Sequence, residues 1–523
     1  MQIPFMPFKV LALAPFSLQK ESPWNHKPIQ VDKTNLDQVI SQLGLSLEIS
    51  LPKNLCPSGA LTINFHRLKD FHPDRLLEAN PFLKNILDAR RFVEEAKGKG
   101  LLEEEIYRRL RGWLDLPFEI KSEPRKPKTA SATSGVIDDI LKMVAVPDEA
   151  SVSSGETQSF IAQIDSILRQ ILGIIFSNED FRSLESIWQG LRFLMKEGGV
   201  NEESKLEIVP VSLDTLEETI NHLMVDLVED LPSLILIDLP FDNSPRSLDL
   251  LGEIAQFSET LMVPTLCWIT PKFFYLDTWQ DLKRLAFIPH TLEEPAFAKW
   301  RQLGKAPSAK WMAMTCNRFL VRYPYGPDNK PGLIRFEESG NLWVSPVWAL
   351  GSLVGKSFIK TGWPTRFTEW QTIRLESLAL NTVEMERNIP TEASFSDERI
   401  DQFIRGGIIP LVSLANKDFA FIPFETTVAG GSLNYQLFLS RITQFLFWCK
   451  DHLERDLAPD ALETNLKKAF SLFWERSGHL TPKEFQISVT QSKPDKPTAV
   501  RIIVEPSRQI LHSGERVELE LNW

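Results

Sequence analysis

Residues Asn178 to Gly199, NEDFRSLESIWQGLRFLMKEGG, carry the clearest pattern in this chain of 523 residues. Phe181, Leu184, Trp188, Leu191 and Met195 recur at steps of three or four, and Ile187 and Leu194 widen the stripe. Arg182, Glu185 and Gln189 fall on the other side. The spacing predicts an amphipathic helix with one buried face, stopped by Gly198 and Gly199. A stripe of this kind is most often core packing, so its meaning has to come from the segments around it.

Downstream, LEIVPVS, LDTLEETINHLMVDLVED, SLILIDLP, PRSLDLLGEIAQFSE and LMVPTLCWIT alternate strand and helix signals. That order predicts an α/β (mixed α+β) fold with a buried, partly parallel sheet and helices laid on it. The turns IDLPFDNSPRS and WITPKFFYL contain neither GxGxxG nor GxxxxGK[ST], so their backbone cannot close around a pyrophosphate and no nucleotide cofactor is expected. Upstream, KVLALA, LSLEIS and ALTINF read as strands, and DRLLEANPFLKNILDARRFVEEAK and EEEIYRRLRGWL as helices.

The domain layout follows. Residues 1–120 form a small α/β unit, residues 121–159 a linker with a short amphipathic helix at 136–144, and residues 160–523 a larger α/β domain. The linker begins with KSEPRKPKTASATSG, Lys121 to Gly135, and is loose again from Pro147 to Gln158. Near the end, Tyr435–Glu454 and Pro459–Arg476 read as helices, and EFQISVT, AVRIIVEP and RVELELNW as strands. In the last strand, residues 516–523, Val517, Leu519, Leu521 and Trp523 share one face against Glu518, Glu520 and Asn522. Such a strand pairs within its own sheet or lends its edge to another subunit.

A net charge of −11 argues against a nucleic-acid binder, which needs a concentrated basic face. Cys56, Cys267, Cys316 and Cys449 lie far apart in apolar company, the pattern of buried thiols in a reducing cytoplasm rather than of a metal site. Prolines break the apolar start MQIPFMPFKVLALAPFS, and no window offers eighteen uncharged apolar residues, so a soluble chain without membrane insertion is expected.

Three clusters are candidates for chemistry. Glu392, Asp397 and Glu398 in PTEASFSDER read either as an acid/base pair or as a solvated loop with Ser396 or Asp397 capping a helix. Arg318, Arg322, Tyr323 and Tyr325 in RFLVRYPYG read as loop-locking groups or as an anion trap. His66 and His72 have no metal-ligand spacing. No catalytic residue, cofactor or metal ligand is assigned, and an α/β enzyme built on these groups is the remote alternative.

Taken together, the segments resemble a known family. NEDFRSLESIWQGLRFLM resembles the signature helix of the large subunit of the type VI secretion contractile sheath (TssC, or VipB-like). Phe181, Leu184, Glu185, Trp188, Gly190 and Leu191 match that signature, with Gln189 where an arginine is usual. VPTLCWITPKFFYLDTW, RFLVRYPYG, NLWVSPVWAL, SFIKTGWP and IPTEASFSDERIDQFIRGGIIPL follow in that family's order. PFKVLALAPFS and LTINFHRLKDFHPDRLLEANPFLKNILDARRFV resemble the small sheath subunit (TssB, or VipA-like) through Phe71, Pro73, Leu83, Leu87 and Arg90. The chain thus resembles the two sheath subunits joined into one.

The resemblance implies a non-enzymatic, cytoplasmic bacterial protomer that self-associates into a helical sheath around an inner tube, meets baseplate components, and contracts. It implies strand exchange between subunits through Val517, Leu519, Leu521 and Trp523. It also implies that SGVIDDILKMV, with Ile137, Ile140 and Leu141 as its apolar face, is the helix a recycling AAA+ unfoldase recognises; the other reading is an amphipathic stub packed on the body. Only Met1–Met6 stand before PFKVLALA, where the small subunit usually carries an arm. The alternative to a polymer is accordingly a sheath-derived baseplate or cap adapter.

Overall fold

The computed structural model describes residues 6–18, 27–113, 116–117, 149–200, 204–383, 387–454, 457–479, 481–482, 484–490 and 498–523. The chain groups into two compact units. One comprises Met1–Val39, Ser183–Tyr323 and Asn341–Trp523, the other Ile40–Arg182 and Pro324–Gly340. The linker Lys121–Gly135 and the residues Ile137, Ile140 and Leu141 lie outside the described residues.

The first unit is built on seven strands: β1 (Phe8–Ala14), β2 (Ile29–Gln30), β3 (Ser204–Pro210), β4 (Leu234–Phe241), β5 (Thr265–Ile269), β6 (Met312–Cys316) and β7 (Ile408–Pro410). Their order across the sheet is β7-β6-β5-β4-β1-β3-β2. All neighbours are parallel except the short edge strand β2, which runs against β3. All seven residues of β1 are buried, as a strand covered on both faces requires. Leu11, Leu13, Val209, Ile235 and Ile237 belong to one core with the helices Leu216–Asp226 and Pro245–Leu261. The helix Pro346–Thr361 lies against β4, β5 and β6.

The same unit closes with the helices Leu433–His452 and Pro459–Arg476 and an antiparallel sheet of β8 (Glu484–Thr490), β9 (Ala499–Glu505) and β10 (Val517–Asn522). Trp363 stacks on Phe438 and on Trp474, each at 5.2 Å, and this apolar layer receives Val500, Ile502, Val517 and Leu519 from the strands.

The second unit holds the hairpin Leu45–Ser50 with Ala60–Phe65, the helices Pro73–Ala79, Pro81–Gly98 and Glu103–Arg111, and the long helix Glu149–Ser177. The single helix expected over DRLLEANPFLKNILDARRFVEEAK is two. Pro81 holds Asn80 extended, and Asn80 Oδ1 accepts from the amides of Phe82 and Leu83, starting a new helix there. The long helix likewise stops before Asn178, whose Oδ1 accepts from Phe181 N at 2.9 Å and starts the helix Glu179–Glu197. The long helix starts at Glu149, inside the stretch read as linker. Its part Phe160–Ser177 is apolar and long enough to cross a membrane by length and composition. It nevertheless carries Asp165, which pairs with Arg90 of the helix Pro81–Gly98 at 2.5 Å.

Candidate functional site

Most of the signature helix, Glu179–Glu197, belongs to the first unit, where Leu184, Trp188 and Leu191 are buried. Trp188 meets the ring of Phe16 edge-on at 5.2 Å, and Phe16 in turn faces Trp348 at 6.3 Å. Trp348 explains the glycine of the signature. A Cβ on Gly190 would stand 2.4 Å from Trp348 Cδ1, so only glycine lets the indole lie on the helix backbone. The indole Nε1 donates to Asp238 Oδ2 at 2.6 Å, and burial holds the Asp238 carboxyl above the usual carboxylate range.

The sequence reading placed Glu185 on the outer face of this helix, and the structure corrects it. Glu185 is 0 % exposed, because Arg322 reaches it with both arms of its fork: Nε to Oε1 at 2.9 Å and Nη2 to Oε2 at 3.0 Å. Helical period alone could not show a partner 137 positions away.

The residues of the N-terminal segment do not stand apart from the rest of the chain. β1 occupies the slot between β3 and β4, with Val10 opposite both Leu206 and Leu234 and Leu13 opposite both Val209 and Ile237. Lys9, also buried, sends its Nζ to Asp230 Oδ2 at 2.8 Å and lies 2.9 Å from Glu207 Oε2. In the second unit, Phe71 stacks on Phe65 at 4.3 Å and approaches Phe181 at 5.7 Å, while Phe176 closes on Phe181 at 4.9 Å. Pro73 is the first residue of its helix and is buried. The next residue, Asp74, accepts from the amides of Gly332 and Leu333 at 2.8 and 3.0 Å, tying residues 258 and 259 positions apart. The small-subunit resemblance marks Phe71 and the apolar stripe of the signature helix marks Phe181; nothing in either segment points to the other.

The groups considered for chemistry are engaged structurally. Arg318 forks onto Glu392 at 3.0 and 2.8 Å, so both arginines of RFLVRYPYG lock onto internal carboxylates. Ser396 Oγ caps the helix Asp397–Arg405 by accepting from Arg399 N. A cleft of about 350 Å³ beside this segment is lined by Trp279, Lys283, Ser394, Phe395 and Arg399, without Glu392, Asp397 or Glu398. His72 Nδ1 accepts from Asp74 N as a helix cap. Among the described residues no cluster of three His, Cys, Asp or Glu could hold a metal ion. The four cysteines are buried, and burial pushes the Cys449 thiol up to about 12.

The C-terminal strand stays at home. In β10, Val517 and Leu519 are buried in their own unit and Leu521 and Trp523 pack beside them. β10 pairs with β9 from Val517 to Asn522, and Trp523 N donates to Thr498 O. Its apolar face is therefore occupied, while its other edge carries no strand among the described residues.

Two family models account for most of the chain. The type VI secretion system VipA model matches residues 4–117. The VipB model, for the EvpB-type tail sheath N-terminal domain, matches residues 158–228 and 232–428, just over half of the chain. The chain belongs to the VipB tail sheath family. A relative, type VI secretion system sheath protein TssC1 of Pseudomonas aeruginosa, is 25% identical over 335 residues, covering 58% of this chain and 67% of the relative. Among solved structures, the anti-feeding prophage helical sheath in its contracted state gives 10% identity and a TM-score of 0.36 over 64% of this chain and 77% of that one. The sheath tail protein Lin1278 of Listeria innocua gives 10% and 0.33 over 58% and 59%. As a member of the VipB family the protein is a structural protomer of a contractile sheath, and it carries VipA-type and VipB-type regions in one polypeptide. The contacts of Val10, Leu13 and Phe16, of Phe71 with Phe181, and of Asp74 with Gly332 and Leu333 run from the VipA-type region to the VipB-type region.

Proposed function

We propose that this polypeptide is a whole sheath protomer that assembles with copies of itself into a helical tube around an inner tube, docks on baseplate components, and contracts by shifting between two packings. The observation that carries this reading is the position of β1. A VipA-type strand paired on both sides within a VipB-type sheet is an integral strand of that sheet rather than an appendage to a sheath subunit. A unit that transmits force between neighbours has to be stiff, and a close-packed interior with few voids resists deformation. Joining the regions in one chain also fixes their ratio at one to one and replaces a bimolecular encounter by an intramolecular one.

In this reading the protein works in the cytoplasm and has no reactive centre. Subunits meet through the open edge of β10, where backbone groups accept a strand from a neighbour. The segment Ser134–Val144, with Ile137, Ile140 and Leu141, is the handle for an AAA+ unfoldase after contraction. Negative-stain microscopy of the purified chain tests the core of the proposal. Long hollow helical tubes are expected; discrete rings or monomers favour the baseplate or cap adapter and overturn the polymer.

A further inference from the structure

A cleft of about 490 Å³ opens where the helices Pro346–Thr361 and Pro459–Arg476 end, beside the helix Leu433–His452. Lys360, Arg366, Arg441, Arg476 and His479 line it, and among the described residues no aspartate or glutamate does. Its volume is that of a small-molecule site, for which roughly 300–1,000 Å³ is usual.

The charges of the cleft do not balance among the described residues. Arg366 is neutralised by Glu369. Lys360 Nζ reaches only the carbonyl of Thr372, and Arg476 is exposed with no ion-pair partner among the described residues. Arg441 is the exceptional member: 4 % exposed, stacked 4.7 Å over the Phe358 ring, and donating only from Nη2, to the carbonyl of Met6. Its Nε and Nη1 have no partner among the described residues. Burial draws its pKa down to about 10, which marks an ion held without compensation.

Helix ends are the ordinary reason for cations in such a place. Two C-termini meet here, and each presents roughly half a negative charge. That is about one charge in all, against three uncompensated cations at Lys360, Arg441 and Arg476. Arg441 moreover sits in the middle of its helix, away from either end. A net positive cleft with Phe358 and Phe473 in its wall remains.

We propose that this cleft is a binding site for a small organic oxoanion, a phosphate or carboxylate group on an apolar or aromatic body. The oxoanion takes the charge of Arg441, Arg476 and Lys360, and the body lies against Phe358 and Phe473.

Thermal unfolding of the full chain tests this, with inorganic phosphate and phenyl phosphate as probes and sodium chloride at matched ionic strength as reference. Both probes are expected to raise Tm saturably over chloride, phenyl phosphate at lower concentration. Arg476→Gln and Lys360→Gln, both at helix ends, are each expected to raise the apparent Kd about tenfold, the equivalent of one charge-assisted hydrogen bond of about 1.4 kcal/mol. Arg441→Met is expected to abolish the shift without lowering Tm in chloride, because it removes an uncompensated buried charge. No phosphate-specific shift, or a shift of equal size in Arg476→Gln and Lys360→Gln, means that these cations serve only the helix ends and overturns the proposal.

Discussion

Arg322 and Glu185 form a two-pronged ion pair at 2.9 and 3.0 Å, with the carboxylate fully buried in the face of the signature helix. A buried pair of this kind adds little by existing, since both ions lose their water. Breaking it strands one charge in the interior, at a cost of about 3–5 kcal/mol. Arg322→Met alone should therefore lower unfolding stability in urea by that amount. The double change Glu185→Leu with Arg322→Met should recover most of it, and a double variant as weak as the single one would contradict this account.

Gly190→Ala places a methyl group 2.4 Å from Trp348 Cδ1. Overpacking against a ring that is itself fixed should cost about 1–3 kcal/mol. The loss should shrink when Trp348 is shortened to leucine, because the two residues share one space; additive effects in a double-mutant cycle would show that they do not.

Asp238 links stability to pH. Its folded carboxyl titrates above the ordinary value of 3.8, because burial outweighs the hydrogen bonds from its neighbours. A raised folded pKa favours the folded state only while the proton is on. The contribution is complete below the ordinary value and is lost as pH rises through the folded one. Asp238→Asn keeps an acceptor for Trp348 Nε1 and removes the ionisation. Tm of the variant relative to the parent should rise between pH 4 and 8, as calorimetry across that range would record.

The open edge of β10 makes a prediction about tubes. Trp523 N points to β9, so by the alternation of an antiparallel ladder the amide of Glu520 points outward. Glu520→Pro removes that donor without touching a bond to β9. Tube formation should fall steeply while the monomer melts within about 2 °C of the parent, a shift of roughly 0.5–1 kcal/mol. Tubes of unchanged length would remove β10 from the interface.

The joint between the VipA-type and VipB-type regions predicts that neither folds alone. Residues 1–130 expressed separately lack β3 and β4, and β1 then exposes two unpaired edges. Aggregation of this piece is expected, with solubility restored on co-expression with residues 131–523, as size-exclusion chromatography would show. Within the intact chain, Phe16→Ala should cost about 3–5 kcal/mol through the cavity left against Trp188.

Periodicity was enough for much of this structure. The apolar stripe of Phe181, Leu184, Trp188 and Leu191, the alternation of β-strand and helix from β3 to β5, and the face shared by Val517 and Leu519 are local patterns, and local patterns set element type and burial. The ordered series of signature segments went further and pointed to a sheath protein. The helix starts at Asn80 and Asn178 are also local, an asparagine whose side chain caps the next helix, but the apolar repeat on either side reads straight through them. Glu185 was misplaced for a different reason: its burial depends on Arg322, and helical spacing carries no information about partners far along the chain.

What the sequence by itself determined was therefore which segments are helix or strand, which faces are apolar, and which family the order of segments resembles. Only the tertiary structure decided that β1 lies between β3 and β4, that Trp348 rests on Gly190, and that Arg441 is buried without a counterion among the described residues. The physical reason is range: backbone conformation and amphipathic spacing act over a few residues, whereas strand neighbours, ring contacts and ion pairs are chosen by the packing of segments hundreds of residues apart.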